Sequence, residues 1–204
     1  MTTPRDLMII AVDVEPSRPL EQGDLSLALA GAELIDLLAA GTIRLDGIQV
    51  MPGHGTALSD PLLDQAAASI VREAPYESIA AWLWRRGRSL ASTYLASLEA
   101  EGLLTRQRRR WTWTPFRTGR LMPVDSPDRH RVRDRWASQE PVLTALAMAA
   151  GIGGNQETRD APSGAGDAAE TVLAAVHDAV RELEAVRQRR AIEQAAFDNV
   201  WRGD

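Results

Sequence analysis

The strongest chemical character in the chain lies at residues 106–120, RQRRRWTWTPFRTGR, where six Arg, two Trp and one Phe stand without a single acid. On a hairpin, side chains two apart share a face, which sets Trp111 with Trp113 and Arg108 with Arg110. Indoles favour the headgroup level of a bilayer, and each neighbouring arginine adds about 1 kcal/mol of attraction to an anionic leaflet. Arg108, Arg109, Arg110, Trp111 and Trp113 are therefore the candidate membrane-contact hairpin. The same composition suits a nucleic-acid backbone with stacked bases. It equally suits indoles turned into the core beneath solvated arginines.

Other chemistry is sparse. There is no Cys, which excludes disulfides, thiolate metal sites and a Cys nucleophile. His54, His130 and His177 fall on separate elements, none with a second ligand three or four residues away, so no metal site is expected. Gly151-Ile152-Gly153-Gly154 follows a helix, lacks the Lys of a phosphate-binding loop and opens no helix, and reads as linker. No G-x-S-x-G elbow is present, and Ser-x-x-Lys is impossible in a chain without Lys. The expectation is a non-catalytic binding protein with no cofactor.

The charge is partitioned along the chain. Residues 1–80 carry 4 Arg against 12 acids, residues 81–135 carry 13 Arg against 5 acids, and residues 136–204 carry 6 Arg against 11 acids. A basic middle between acidic flanks points to an anionic partner, or to ion pairs between the parts of the fold. The length of 204 residues suits one domain with a helical extension. No apolar run approaches the roughly 18 residues that span a bilayer, and Asp6 and Asp13 flank the apolar patch at 7–12, unlike a signal peptide.

The elements that must position these residues are mainly helical. Pro4 starts a short helix; residues 24–40 form a buried one stopped by Gly41; Asp46-Gly47 marks a hairpin between apolar pairs. Asp60-Pro61 opens a helix to about residue 73, and residues 78–86 and 88–101 form two more, separated near Gly87. Residues 103–116 alternate as a second hairpin or wing, Ser126-Pro127 and Pro141 open two further helices, and residues 168–200 form a long amphipathic one. The fold expected is mainly α: a compact helical domain over 1–150 with two small β-hairpins, a flexible linker at 151–167, and a long C-terminal helix at 168–204.

Residues 28–43, ALAGAELIDLLAAGTI, resemble the "ALxGAxLxELxxxGxI" helix and strand of the Golgi phosphoprotein family, Golgi phosphoprotein three-like proteins with many bacterial relatives. DPLLD at 60–64 is similar to that family's "DxLLDexL", and LEAEGLL at 98–104 to its "LxxxGIL". The resemblance covers roughly residues 5–150. It implies a peripheral membrane protein that binds phosphatidylinositol 4-phosphate and inserts a hairpin tip, here residues 111–114. The family's headgroup-pocket positions fall on Glu21, Ala30, Arg88 and Ala91, with Arg85 and Arg86 within a turn of Arg88. Arg85, Arg86 and Arg88 are thus the candidate lipid headgroup-binding residues.

The leading expectation is a cytoplasmic, peripherally membrane-associated protein that binds anionic phospholipid. The alternatives are a winged-helix DNA-binding regulator, with Arg88, Ser89, Ser92 and Thr93 approaching bases and Arg108 to Arg110 gripping phosphate, and a helical adaptor that pairs with a second copy or a partner helix through 168–200.

Overall fold

A computed structural model describes residues 2–14, 19–55, 58–107, 120–153 and 166–201. The chain begins with α1 (Thr3–Asp13) and α2 (Gln22–Ala39), followed by the hairpin β1 (Ile43–Asp46) and β2 (Gln49–Pro52). Three helices come next: α3 (Pro61–Ala68), α4 (Ile79–Arg86) and α5 (Leu90–Ala100). A second hairpin, β3 (Leu104–Gln107) with β4 (Arg120–Pro123), precedes α6 (Pro127–Ala137), α7 (Pro141–Ala149) and α8 (Asp167–Trp201). The architecture is mainly α with two small antiparallel hairpins and a long C-terminal helix, as the sequence pattern leads one to expect.

Helix α2 is the axis of the bundle. Leu25, Leu27, Leu29, Leu34 and Leu37 are all buried, as are Ala28, Ala30 and Ala32, so the helix is enclosed on every side, with Asp24, Ser26 and Glu33 buried among the apolar residues. Helices α1, α3, α4, α5, α7 and α8 all pack on it. Its small residues let neighbours come close: a Cβ on Gly31 would overlap Cγ2 of Val176 on α8. Helix α1 is enclosed from Thr3 to Ala11, including Arg5 and Asp6, so its charges are matched internally.

Local signals set most of the ends. Asp60 accepts from the N–H groups of Leu62 and Leu63 and Pro61 sits at the first helical position, while Ser126 and Glu140 cap α6 and α7 ahead of their prolines. In the first hairpin Asp46 faces Gln49, and Gly47 takes a φ of 57°, which the tight turn requires.

Three expectations change. Helix α3 ends at Ala68 rather than near residue 73, because Ser69 turns its hydroxyl back onto the Ala66 carbonyl at 2.8 Å. The return strand of the second hairpin is Arg120–Pro123, paired with Leu104–Gln107, not a strand inside 103–116. Ile152, assigned to the linker, is fully buried, and its N–H closes α7 on the Ala147 carbonyl at 2.8 Å. Residues 154–165, the rest of that linker, lie outside the described residues. Among the described residues, no helix is long and apolar enough to cross a membrane.

Candidate functional site

Among the described residues, the arginines of the basic middle are largely neutralised from outside that segment. Arg129 and Arg133, one helical turn apart on α6, both grip Asp13 at the end of α1, at 2.5 and 2.8 Å. Arg135 bonds Asp6 and also reaches Glu140 at 3.0 Å. Arg131 pairs with Asp128 on its own helix. Thus α6, whose one buried side chain is Val132 and whose Trp136 packs half-buried on the core, is also strapped to α1 by charge.

Arg86 and Arg85, adjacent in α4, meet different fates. Arg86 turns inward onto Glu33, donating from Nε at 2.8 Å and Nη2 at 2.9 Å, and Nη2 also reaches the Leu62 carbonyl at 3.2 Å. Glu33 is wholly buried on α2 and accepts a third bond, at 3.0 Å, from the Tyr94 hydroxyl. Burial raises the Glu33 carboxyl above its ordinary pKa, with Arg86 and Tyr94 pulling the other way. Burial and the neighbouring Glu33 together push the Tyr94 phenol well up. Arg85 lies on the Trp82 ring at 5.0 Å and donates to Glu77 at 2.8 and 2.6 Å.

Arg88 differs from both. It sits in the α4–α5 turn, exposed, with no carboxylate in salt-bridge range among the described residues. Gly87 makes that turn possible: a Cβ there would stand 2.6 Å from the Leu83 carbonyl oxygen and 3.4 Å from Ser26 O on α2. Ser89 follows with a φ of 57° and starts α5. The turn, the first turns of α2 and Leu183 of α8 enclose a cleft of about 330 Å³, lined by Gln22, Gly23, Ser26, Trp84 and Arg88 among others. On its floor the Ala91 N–H donates to Ser26 Oγ at 3.1 Å. An exposed guanidinium beside the positive end of α5 is an arrangement that attracts anions.

Two other depressions, of about 260 and 560 Å³, balance their charges. The first sets Asp64 against Arg72 beneath β1 and β2; the second sets Asp6 and Asp134 against Arg131 and Arg135. The cleft at Arg88 is the one of the three with a net positive lining. Among the described residues there is no cluster of three His, Cys, Asp or Glu side chains able to hold a metal ion.

The structure therefore separates the residues that the sequence grouped. Arg88 lines the cleft, Arg86 belongs to the interior, and the contacts of Arg85 share no residue with the cleft lining. Of the four pocket positions, Arg88 and Ala91 line the cleft and Glu21 caps α2 beside Gln22. Ala30 is fully buried with its carbonyl taken by the Trp82 indole N–H at 3.3 Å. Arg108, Arg109, Arg110, Trp111 and Trp113 lie outside the described residues; the paired strands on either side rest on α1 and α5. The exposed face of α5 offers Ser92, Thr93, Ala96 and Ala100, while Arg108 to Arg110, which would grip phosphate in the winged-helix alternative, lie outside the described residues.

Sequence reasoning missed the buried Glu33–Arg86–Tyr94 network. Its visible trace is Glu33, one of two acids, with Asp36, inside the apolar stretch 28–38 that lack an arginine three or four residues away. It also missed Arg187 of α8, whose Nη1 donates to the buried Asp24 at 2.7 Å.

A family model described as Golgi phosphoprotein 3 (GPP34) matches residues 4–194. No curated protein matches the chain.

Proposed function

The chain belongs to the Golgi phosphoprotein 3 (GPP34) family, and from that premise we propose that it is a non-catalytic peripheral membrane protein that docks on anionic lipid headgroups. The observation that carries the reading is Arg88: an exposed cation with no carboxylate in salt-bridge range among the described residues, on an open cleft with net positive lining. The family resemblance implies phosphatidylinositol 4-phosphate as the headgroup.

Arg88 takes the lipid phosphate in this reading. Arg85 adds charge from the neighbouring face, and Arg86 holds the fold through Glu33. The segment with Arg108, Arg109, Arg110, Trp111 and Trp113 supplies the second anchor, with indoles at headgroup depth and guanidinium groups on phosphates. Two weak anchors are the usual requirement for stable peripheral attachment, because a single cationic contact gives only marginal binding.

Vesicle flotation at low salt tests the proposal. The protein should float with phosphatidylcholine vesicles containing phosphatidylserine or phosphatidylinositol 4-phosphate, and not with phosphatidylcholine alone. Arg88→Gln and the pair Trp111→Ala with Trp113→Ala should each weaken recruitment. An absence of recruitment to any anionic vesicle, or parental recruitment of all three variants, sinks the reading.

A further inference from the structure

We propose that Arg187 of α8 is the second cation of the Arg88 cleft, completing a two-arginine site for a phosphomonoester headgroup; this rests on the lipid-docking reading above. The chemistry demands a second donor set. A phosphomonoester carries close to two negative charges near neutral pH and is held by several charge-assisted bonds at once. Arg88 alone cannot supply them, and Glu21, Ala30 and Ala91 bring no cation from the other pocket positions.

Helix α8 forms one side of the cleft through Leu183, and Arg187 follows one turn later on the same face. Both reach Gly23, which lines the cleft on the α2 side. A Cβ on Gly23 would lie 2.7 Å from Leu183 Cδ2 and 2.7 Å from Arg187 Nη2. The missing side chain at 23 is thus what lets the guanidinium stand against Gly23, beside the cleft lining rather than in it.

Asp24 then fixes its orientation. The carboxylate, 1% exposed, accepts from Arg187 Nη1 at 2.7 Å, while the Arg187 side chain remains 32% exposed. A guanidinium has five donors in a planar fork, so one edge can stay on a carboxylate while another faces a phosphate. An ammonium in the same place offers one compact charge, which Asp24 would hold. The C-terminal helix is in this way a working part of the headgroup site, and Asp24 is the positioning residue that aims its cation.

The test uses the full chain and flotation on phosphatidylcholine vesicles doped with either phosphatidylinositol 4-phosphate or phosphatidylserine. Two variants keep positions 24 and 187 matched to each other: Arg187→Lys keeps the ion pair with Asp24, and Asp24→Asn with Arg187→Gln replaces it by a neutral pair without changing net charge. The parent should prefer the phosphomonoester lipid. Each variant should lower that preference by about tenfold, the loss expected for one charge-assisted contact, and soluble inositol 1,4-bisphosphate should displace the parent from the vesicles.

Parental preference in both variants, with loss in Arg88→Gln, overturns the role of Arg187 and leaves lipid docking standing. Equal recruitment by the two lipids does the same. Competition by inorganic phosphate as effective as by the soluble headgroup makes the cleft a free-phosphate site and overturns the assignment. No recruitment to either vesicle removes the docking reading, and the proposal with it.

Discussion

Arg86 and Glu33 meet in a bidentate ion pair inside the bundle, 53 residues apart in sequence, with Tyr94 completing the carboxylate's bonding. The pair joins α2, α4 and α5 at one point, and α4 and α5 are the helices whose connecting turn carries Arg88. The geometry of the cleft is therefore set by a buried network two residues away from its cation.

Removing one partner of that network strands the other. Breaking a buried ion pair typically costs about 3–5 kcal/mol, so Arg86→Ala should lower Tm by roughly 6–20 °C in a chain of this size. Converting all three members together, Glu33→Leu with Arg86→Met and Tyr94→Phe, leaves no unmatched polar group on those side chains and should recover most of the loss. Arg88→Gln should do the opposite of Arg86→Ala, leaving Tm near parental while vesicle recruitment falls. Thermal unfolding by circular dichroism beside flotation separates the two; equal Tm losses at 86 and 88 would contradict the division of labour between them.

The seating of α8 on α2 depends on Gly31. Its added Cβ would overlap Val176 Cγ2, and Val176 is fully buried. Gly31→Ala should destabilise by about 1–3 kcal/mol through overpacking, despite the better helix propensity of alanine. Val176→Ala removes the clashing methyl and should restore much of that loss when combined with Gly31→Ala. Urea unfolding of the two single variants and the double gives the coupling; strict additivity would mean that the two residues do not share the contact.

Two buried carboxyls, Asp6 and Glu33, and the half-buried Asp36 give the protein an unusual pH response. Burial raises Asp6 and Asp36 above 3.8, and Glu33 above 4.5. The folded state therefore holds these protons more tightly than the unfolded chain does. Their contribution to stability is present below the ordinary values and is lost as pH rises through the raised ones. Glu101, lowered by its bond to Arg5, acts in the other direction and loses its contribution as pH falls below 4.5. Glu101 acts only below 4.5, so the three raised groups alone govern the range above it, and unfolding free energy should decline as pH rises from 4.5 toward neutrality. Asp36→Asn keeps an oxygen for the Thr3 N–H, which now sits 2.7 Å from Asp36 Oδ2, and should flatten the decline. Urea midpoints across that range decide; a rising profile in the parent, unchanged by Asp36→Asn, would mean that burial does not govern these groups.

What the sequence disclosed follows from the range of the forces involved. The proline-led starts of α3, α6 and α7 and the Gly47 turn depend on neighbours within four residues, and each can be read locally. The family resemblance rests on the same kind of local run. The charge partition was also visible, but its resolution was not: Arg129 finds Asp13 across 116 residues and Arg135 finds Asp6 across 129. No spacing rule relates such partners. The three adjacent arginines 85, 86 and 88 looked equivalent because the rotation of α4 against α2, which turns Arg86 inward and leaves Arg88 on the rim, is decided by packing around Trp82 and Leu83. Arg187 was hidden for the same reason, since its importance depends on which turn of α8 passes over Gly23.

Glu21 is the one acid that caps α2 at the edge of the cleft, exposed and without a side-chain bond to the helix it precedes. A carboxylate there repels an arriving headgroup while favouring the positive end of α2. Its replacement should therefore move affinity and stability in opposite directions. Glu21→Gln should tighten binding to anionic vesicles by about fivefold, the effect of roughly 1 kcal/mol per charge near a leaflet. It should also cost up to about 1 kcal/mol of stability from the lost charge at the helix start. Glu21→Arg should tighten binding further, and both gains should shrink as salt screens the surface. Flotation at two salt concentrations, read beside urea unfolding, checks both halves. Unchanged recruitment with reduced stability would place the docking surface away from the N-terminus of α2 and so away from Arg88.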